Sequence, residues 1–288
     1  MPRTKSILRY PGGKTQLAKF VEHLIHLNDL NSTIYCEPFS GGSGVSMELL
    51  LSNKVDSIIL NDYDVAIYSV WYAVLHESER LIHDILTTPI TMTEWINQKS
   101  IYDKLRENQT YDYRLAFSTL FLNRTNRAGI ITGGPIGGYE QNSKYKLNCR
   151  FNKEALVKKI ADISTQRDRI RLYMLDAKEL IHNILLNISP KCLFTFFDPP
   201  YYRQGQLLYK NSFKHDDHVF LYNAIREMDS YRWITTYDHC DEIAKIYSDL
   251  PAHTYTLQYS ARITRKEKEY LYSSPNTQIE SFDKVILQ

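Results

Sequence analysis

"YCEPFSGGSGV", residues 35–45, changes character twice in a short span. An apolar, β-favouring start ends on Glu37, Pro38 and Phe39, a glycine-rich turn follows, and a helical pattern takes over at 43–52. Strand, tight glycine turn and helix start, in that order, make a nucleotide-type site. Glycines let a ligand approach the backbone closely, and the first helical N–H groups point at it. The glycine spacing is not G-x-G-x-x-G, and Glu37 stands before the turn, so a dinucleotide is disfavoured.

Working outward, short apolar runs alternate with helical patterns. The strand candidates are 33–39, 57–60, 170–175, 192–197, 232–237 and 254–259. Helical segments fall at 43–52, 64–87, 152–164, 177–187, 217–229 and 239–249. Near-continuous apolar strands separated by helices predict an α/β fold with a doubly wound, mostly parallel sheet. Residues 254–260 and 268–273 lie too close for a crossover helix, which predicts an antiparallel hairpin at one sheet edge. The alternation breaks at 71–150, where helices at 93–108 and 113–125 lead into the glycine-rich "RAGIITGGPIGGYEQNSKYK". A helical insertion, facing substrate, is therefore expected between two parts of one catalytic domain, 1–70 and 151–288.

The second strand ends in "ILNDYD", which places Asp62 about 20 residues after the glycine turn, where an acid commonly binds a ribose hydroxyl pair. Alone, Asp62 is more often a helix cap; beside the glycine turn, ribose is the better reading. "LRYPGGKTQL", residues 8–17, is a second glycine turn before a helix and carries Lys14. Turn and lysine can be structural, or the lysine can hold a ligand carboxylate. The third element is "CLFTFFDPPYYRQG", residues 192–205. An apolar run ends on Asp198, two prolines fix φ and donate no hydrogen bond, and two tyrosines follow. A strand end puts Asp198 at the carboxyl edge of the sheet, where doubly wound folds bind ligands. The Asp198 carboxylate and the Pro199 carbonyl are two acceptors in fixed relation, suited to an exocyclic amine, with a tyrosine as a stacking face.

Composition narrows the class. The 288 residues are 43% hydrophobic and 24% charged, as in an ordinary globular protein. No stretch approaches the roughly 20 apolar residues of a membrane span, and no signal-peptide core opens the chain. Cys36, Cys149, Cys192 and Cys240 have no zinc spacing and read as buried thiols in a reducing compartment, so a cytoplasmic location is expected. Net charge is only +2, but Arg124, Arg127, Lys144, Lys146 and Arg150 gather against a single acid, Glu140. "RITRKEK", 262–268, is a second basic cluster. Such patches suit a phosphate backbone, and equally a solvated face.

Taken together, "RYPGGK", "EPFSGGSG", "NDYD", "LFLNRTNRAG", "LYMLDAKEL" and "TFFDPPYY" resemble the DNA adenine-N6 methyltransferases of the Dam or D12 class, over nearly the whole chain and in that family's order. The resemblance implies an S-adenosylmethionine-dependent enzyme that methylates adenine in double-stranded DNA, flipping the base into the DPPY pocket, without a metal. Tyr10 and Lys14 would contact the methionine moiety. Glu37, Pro38, Phe39, Gly41 and Gly42 would line the cofactor cleft, Asp62 would bind the ribose, and Asp176 the cofactor adenine. Asp198, Pro199, Pro200 and Tyr201 would be the catalytic tetrapeptide. In the insertion, which would read the DNA target, Asn123 and Arg124 match the family pattern. Arg124 and Arg127 are candidates for phosphate or guanine contacts, and Lys144, Lys146 and Arg150 for positioning the backbone. Two departures stand out: Ser43 occupies the place of the family's last turn glycine, and "GIITGGPIGGYEQ" is not the loop associated with GATC recognition. A monomer or weak dimer is the expected assembly, with a cognate restriction endonuclease acting separately and no membrane partner. An RNA-adenine methyltransferase, a non-catalytic DNA-binding regulator and a nicotinamide enzyme are the rival classes.

Overall fold

A computed structural model describes residues 4–9, 14–30, 32–203, 213–259 and 265–288. Its centre is a seven-stranded sheet built from β1 (Ile34–Glu37), β2 (Ser57–Asn61), β3 (Ile170–Tyr173), β4 (Leu193–Phe197), β5 (Arg232–Asp238), β6 (His253–Tyr259) and β7 (Arg265–Ser273), in the order β3-β2-β1-β4-β5-β7-β6. The first five are mutually parallel, and β7 runs antiparallel to both β5 and β6. The doubly wound sheet with an antiparallel edge hairpin is thus as expected. Within the hairpin the returning strand β7 joins the parallel sheet and β6 becomes the edge.

Strand order reverses between β1 and β4. In open α/β sheets that reversal opens a crevice beyond the carboxyl ends of the two strands, because the connections leave in opposite directions. β1 ends on Glu37 and β4 on Phe197, so the EPF turn and the DPPY segment open onto one crevice. The sheet is buried on both faces. Along β4, Phe194 and Phe196 enter one core with Tyr35 and Ile58, while Leu193 and Phe197 enter the other with Cys36 and Trp233. That two-sided burial is why the strands read as unbroken apolar runs.

The flanking helices are α1 (Ala18–Leu27), α2 (Gly44–Leu51), α3 (Val65–His76), α4 (Ser78–Thr87), α5 (Met92–Leu105), α6 (Tyr113–Thr125), α7 (Lys153–Ser164), α8 (Ala177–Asn183), α9 (His215–Arg226) and α10 (Asp241–Ile246). Side-chain caps start several of them: Asp64, Thr91, Asp112, Asn152 and Asp176 each accept from a backbone N–H of the first turn. The expected helix over 64–87 is two, broken at Glu77. α3, α5 and α6 pack together, and their Trp71, Trp95 and Phe121 share one core with Ile58 and Phe194 of the sheet. The helical segment is therefore seated on the sheet's own core.

The thiols are unpaired, but the expectation that all are buried fails at two positions. Cys36 and Cys240 are buried, Cys149 is exposed and Cys192 lies between, because Cys240 is packed into the core with Trp233 and Tyr247 whereas Cys149 and Cys192 stay outside both cores. Among the described residues no helix is long and apolar enough to cross a membrane.

Candidate active site

The first wall of the crevice is the turn after β1. The Glu37 side chain folds back under it: Oε1 accepts from the Tyr35 hydroxyl at 3.0 Å and from the Ser46 N–H at 3.0 Å, linking β1 to the first turn of α2. Burial pushes its carboxyl up to about 7, against the pull of those two donors. Gly41 has φ +43 and Ser43 φ +47. The serine at the place of the family's glycine thus holds the left-handed conformation a glycine adopts freely. Gly41 is held from both sides, its N–H donating to Asp62 Oδ2 at 2.7 Å and its carbonyl accepting from Trp71 Nε1 at 3.0 Å. The Gly42 carbonyl accepts from the Ser6 hydroxyl. A Cβ on Gly44 would lie 2.1 Å from Thr15 Oγ1, so this glycine lets the two turn motifs pack against each other.

The neighbouring strands supply the second wall. Asp62, just past β2, also accepts from the Asp64 N–H at 3.0 Å, and burial pushes its carboxyl up to about 7. Asp176 lies just past β3 and caps α8 through the Lys178 N–H at 2.9 Å. Between them stands Asn61, 1% exposed. Its Nδ2 donates to the carbonyls of Pro38 and Leu175, and its Oδ1 accepts from the Leu175 N–H, each at 2.9 Å. One amide thereby ties together the carboxyl ends of three strands.

Asp198 is the floor. Its Oδ1 accepts from Thr236 Oγ1 of β5 at 2.8 Å and lies 3.7 Å from Lys14 Nζ. Desolvation raises its carboxyl, Lys14 and Thr236 pull it down, Glu269 pushes it up, and the balance sits at about 6. Its side chain keeps 27% exposure, so the carboxylate opens to the crevice. The Lys14 ammonium, 4% exposed, is paired with Glu269 Oε2 of β7 at 2.8 Å and donates to the Tyr201 hydroxyl. It also lies 4.7 Å from the centroid of the Tyr201 ring. The turn after the prolines hangs on Asp238 at the end of β5, which accepts from the N–H groups of Tyr202 and Arg203, both at 2.9 Å. Tyr202 packs on the His218 ring, 5.1 Å between centroids, and its hydroxyl shares a hydrogen bond with His215. Phe39 meets Phe213 edge-on at 5.9 Å.

The predicted cofactor and tetrapeptide positions gather at one crevice. Glu37, Pro38, Phe39, Gly41, Gly42, Asp62, Asp176 and Asp198 to Tyr201 lie at the carboxyl ends of the parallel strands or in the turns beyond them, and Lys14, from the segment before α1, reaches Asp198 and Tyr201 with its ammonium. Tyr10 lies outside the described residues, as do Arg262, Ile263 and Thr264 of the second basic cluster. The insertion residues divide. Asn123 is 0% exposed, accepts from the Arg9 N–H at 2.8 Å and donates to the carbonyls of Arg9 and Gly129, both at 2.9 Å. As a DNA contact it is corrected: its amide is spent latching the N-terminal segment to the 129 turn. Arg124 is half-buried, with its guanidinium drawn down to about 10 by burial and by Arg9 and Arg150 nearby. Arg127, Lys144 and Lys146 are exposed. Asn126 and Gln141 lace the glycine-rich loop from within. Asn126 donates to the carbonyls of Ile130, Ile131 and Gly133, and Gln141 to those of Ile136 and Gly138.

Asn61, Trp71, Thr236, Asp238 and Glu269 were not singled out in the sequence. Asp238 had a readable sign, since it ends β5 as Asp198 follows β4. Glu269 had a weaker one, a carboxylate next to the apolar stretch of β7. Asn61, Trp71 and Thr236 had none, because their partners are far away in the chain.

A doubly wound sheet whose switch point holds a left-handed glycine turn, strand-end carboxylates and a DPPY floor defines a Rossmann-like transferase class. The model of the family "D12 class N6 adenine-specific DNA methyltransferase" matches residues 10–267, and the chain belongs to that family. It is 24% identical over 241 residues to the type II methyltransferase M.MjaIII of Methanocaldococcus jannaschii, covering 78% of this chain and 80% of that relative. Among solved structures, the rRNA methyltransferase aviRa of Streptomyces viridochromogenes aligns with a TM-score of 0.40 and 11% identity, over 93% of this chain and 88% of that one.

Proposed function

We propose that this enzyme transfers a methyl group from S-adenosylmethionine to the N6 amino group of adenine at a specific site in double-stranded DNA, with the target base flipped into the DPPY pocket. The observation that carries the reading is the shared crevice: Asp198, Lys14 and Tyr201 meet beside the Glu37–Gly42 turn at the β1/β4 switch point. The residues present fit the cofactor. The left-handed turn exposes backbone for close approach, Asp62 and Asp176 stand at successive strand ends for ribose and adenine, and Lys14 with Tyr10 serves the methionine end. When bound, S-adenosylmethionine would supply a methyl group made electrophilic by its sulfonium, the methyl's carbon–sulfur bond being the one that breaks and a neutral thioether the leaving group.

The remaining chemistry belongs to the chain. The adenine amine is a poor nucleophile because its lone pair is delocalised into the ring. Asp198 and the Pro199 carbonyl accept its two N–H bonds, favour a pyramidal nitrogen and direct the lone pair outward. Asp198 must be ionised to accept, and it takes the proton that the nitrogen sheds as the new N–C bond forms. Its placement at about 6 suits both tasks near neutral pH. Holding the partners in near-attack geometry contributes roughly 7–11 kcal/mol of the barrier. Flipping costs a few kcal/mol, which stacking on Tyr201 partly offsets. Residues 71–150 form the target-recognition insertion, with Arg124, Arg127, Lys144 and Lys146 as its DNA contacts and a separate restriction endonuclease as functional partner. The test is labelled-methyl transfer by Asp198→Ala into double-stranded DNA and into structured RNA. Transfer should vanish while calorimetric S-adenosylmethionine binding persists; near-normal turnover, or a preference of the wild type for RNA, overturns the reading.

A further inference from the structure

The hairpin β6–β7 reaches the reacting carboxylate through a buried contact at Glu269. Glu269 is 1% exposed, grips Lys14 Nζ with both oxygens at 3.0 and 2.8 Å, and accepts from the Tyr255 hydroxyl of β6 at 2.5 Å. In register it stands opposite Asp238, the anchor of the turn after the prolines. The lysine has no exposure to spare, so where Glu269 holds it decides what it can reach. Besides Glu269, it donates to the Tyr201 hydroxyl and lies 3.7 Å from Asp198.

We propose that Glu269 is a positioning residue for methyl transfer: its buried carboxylate holds the Lys14 ammonium against Asp198 and Tyr201, and sets how much of that positive charge the reacting carboxylate receives. This rests on the adenine methyl-transfer reading and deepens it. The two carboxylates compete for one ammonium. Lys14 stabilises ionised Asp198, Glu269 repels it, and the shared charge leaves Asp198 ionised near neutrality yet able to accept a proton. A buried lysine without Glu269 would lack its closest counter-charge, whereas the pair together is neutral. The other charged or titratable groups that face Asp198 among the described residues are Glu37 and Tyr35 of β1, Tyr237 of β5 and Tyr201 of its own loop; Tyr255 of β6 acts on Glu269. Glu269 itself contacts the same ammonium as Asp198, at 2.8 Å.

The experiment is the pH profile of kcat for methyl transfer to duplex DNA, in wild type, Glu269→Gln and Tyr255→Phe, each checked for folding by its thermal transition. Activity rises with pH as Asp198 ionises. Glu269→Gln keeps the side chain's volume and an acceptor but removes the negative charge, so the acid limb should move down by on the order of one pH unit. Tyr255→Phe removes a donor, makes Glu269 the stronger partner for Lys14, and should move the limb upward by a smaller amount. Limbs that stay in place, or move the same way in both variants, overturn the proposal. Should Glu269→Gln fail to fold, a folded Tyr255→Phe with an unshifted limb overturns it too. A wild type that transfers no methyl group to adenine takes down the underlying reading, an outcome distinct from an unshifted limb.

Discussion

Asn61→Ala is the sharpest test of how this site is assembled. The side chain is 1% exposed and makes three hydrogen bonds, all at 2.9 Å, to groups on two other chain segments. Truncation leaves the Leu175 N–H and the carbonyls of Pro38 and Leu175 without this partner. An unsatisfied buried group costs about 1–3 kcal/mol, and the carbonyls, each with a second lone pair, fall at the low end. The sum is about 3 kcal/mol of stability, measured as a lowered urea midpoint at constant slope. Pro38 adjoins Glu37 and Phe39, and Leu175 adjoins Asp176, so on the cofactor roles proposed for those residues the loosened strand ends should also lose cofactor affinity. A roughly tenfold weaker S-adenosylmethionine binding constant, about 1.4 kcal/mol, is expected by calorimetry. Stability within about 0.5 kcal/mol of wild type, the usual effect of a surface change, would refute the latch.

Two further outcomes follow from the same geometry. Gly129 has φ +82, and a Cβ there would lie 2.2 Å from the Arg9 carbonyl oxygen, which Asn123 also holds. Gly129→Ala should therefore cost about 3 kcal/mol or more through strain and displacement of the N-terminal segment, whereas Gly134→Ala, with nothing within 4 Å of its Cβ, should leave the urea midpoint unchanged. Glu37 is raised from an ordinary 4.5 to about 7, so the native state holds its proton more tightly than the unfolded chain. Its contribution is fully present below about 4.5 and is lost as pH rises through 7. The melting temperature of wild type relative to Glu37→Gln should then fall between pH 5 and pH 8; a constant difference would show that Glu37 carries no such burden.

The sheet was legible because its signals are local. Two-sided burial writes strands as apolar runs, and caps such as Asp64 and Asp112 announce helix starts within a turn. The short spacing between β6 and β7 predicted their antiparallel pairing, but not that β7 would join β5. Turn residues were legible for a related reason: a carboxylate just past a strand and glycines before a helix act through their own backbone neighbourhood. Asn123 shows where that reasoning misleads. Its segment reads as polar and basic, yet α6 is buried nearly throughout and turns the amide inward.

By itself, then, the amino-acid sequence determined the α/β alternation, the three glycine and proline turns at its strand and helix ends and the family to which they belong, since each depends on spacing within a few residues. Tertiary structure alone decided which groups meet across long separations. It paired Lys14 with Glu269, set Thr236 on Asp198, and hung the turn after the prolines on Asp238. Those contacts arise from strand order and register, which bring the antiparallel hairpin beside the parallel sheet. Side-chain charge and hydrogen bonding act over a few ångströms of space, whatever the distance along the chain. The surroundings of Asp198 are accordingly a property of the folded sheet.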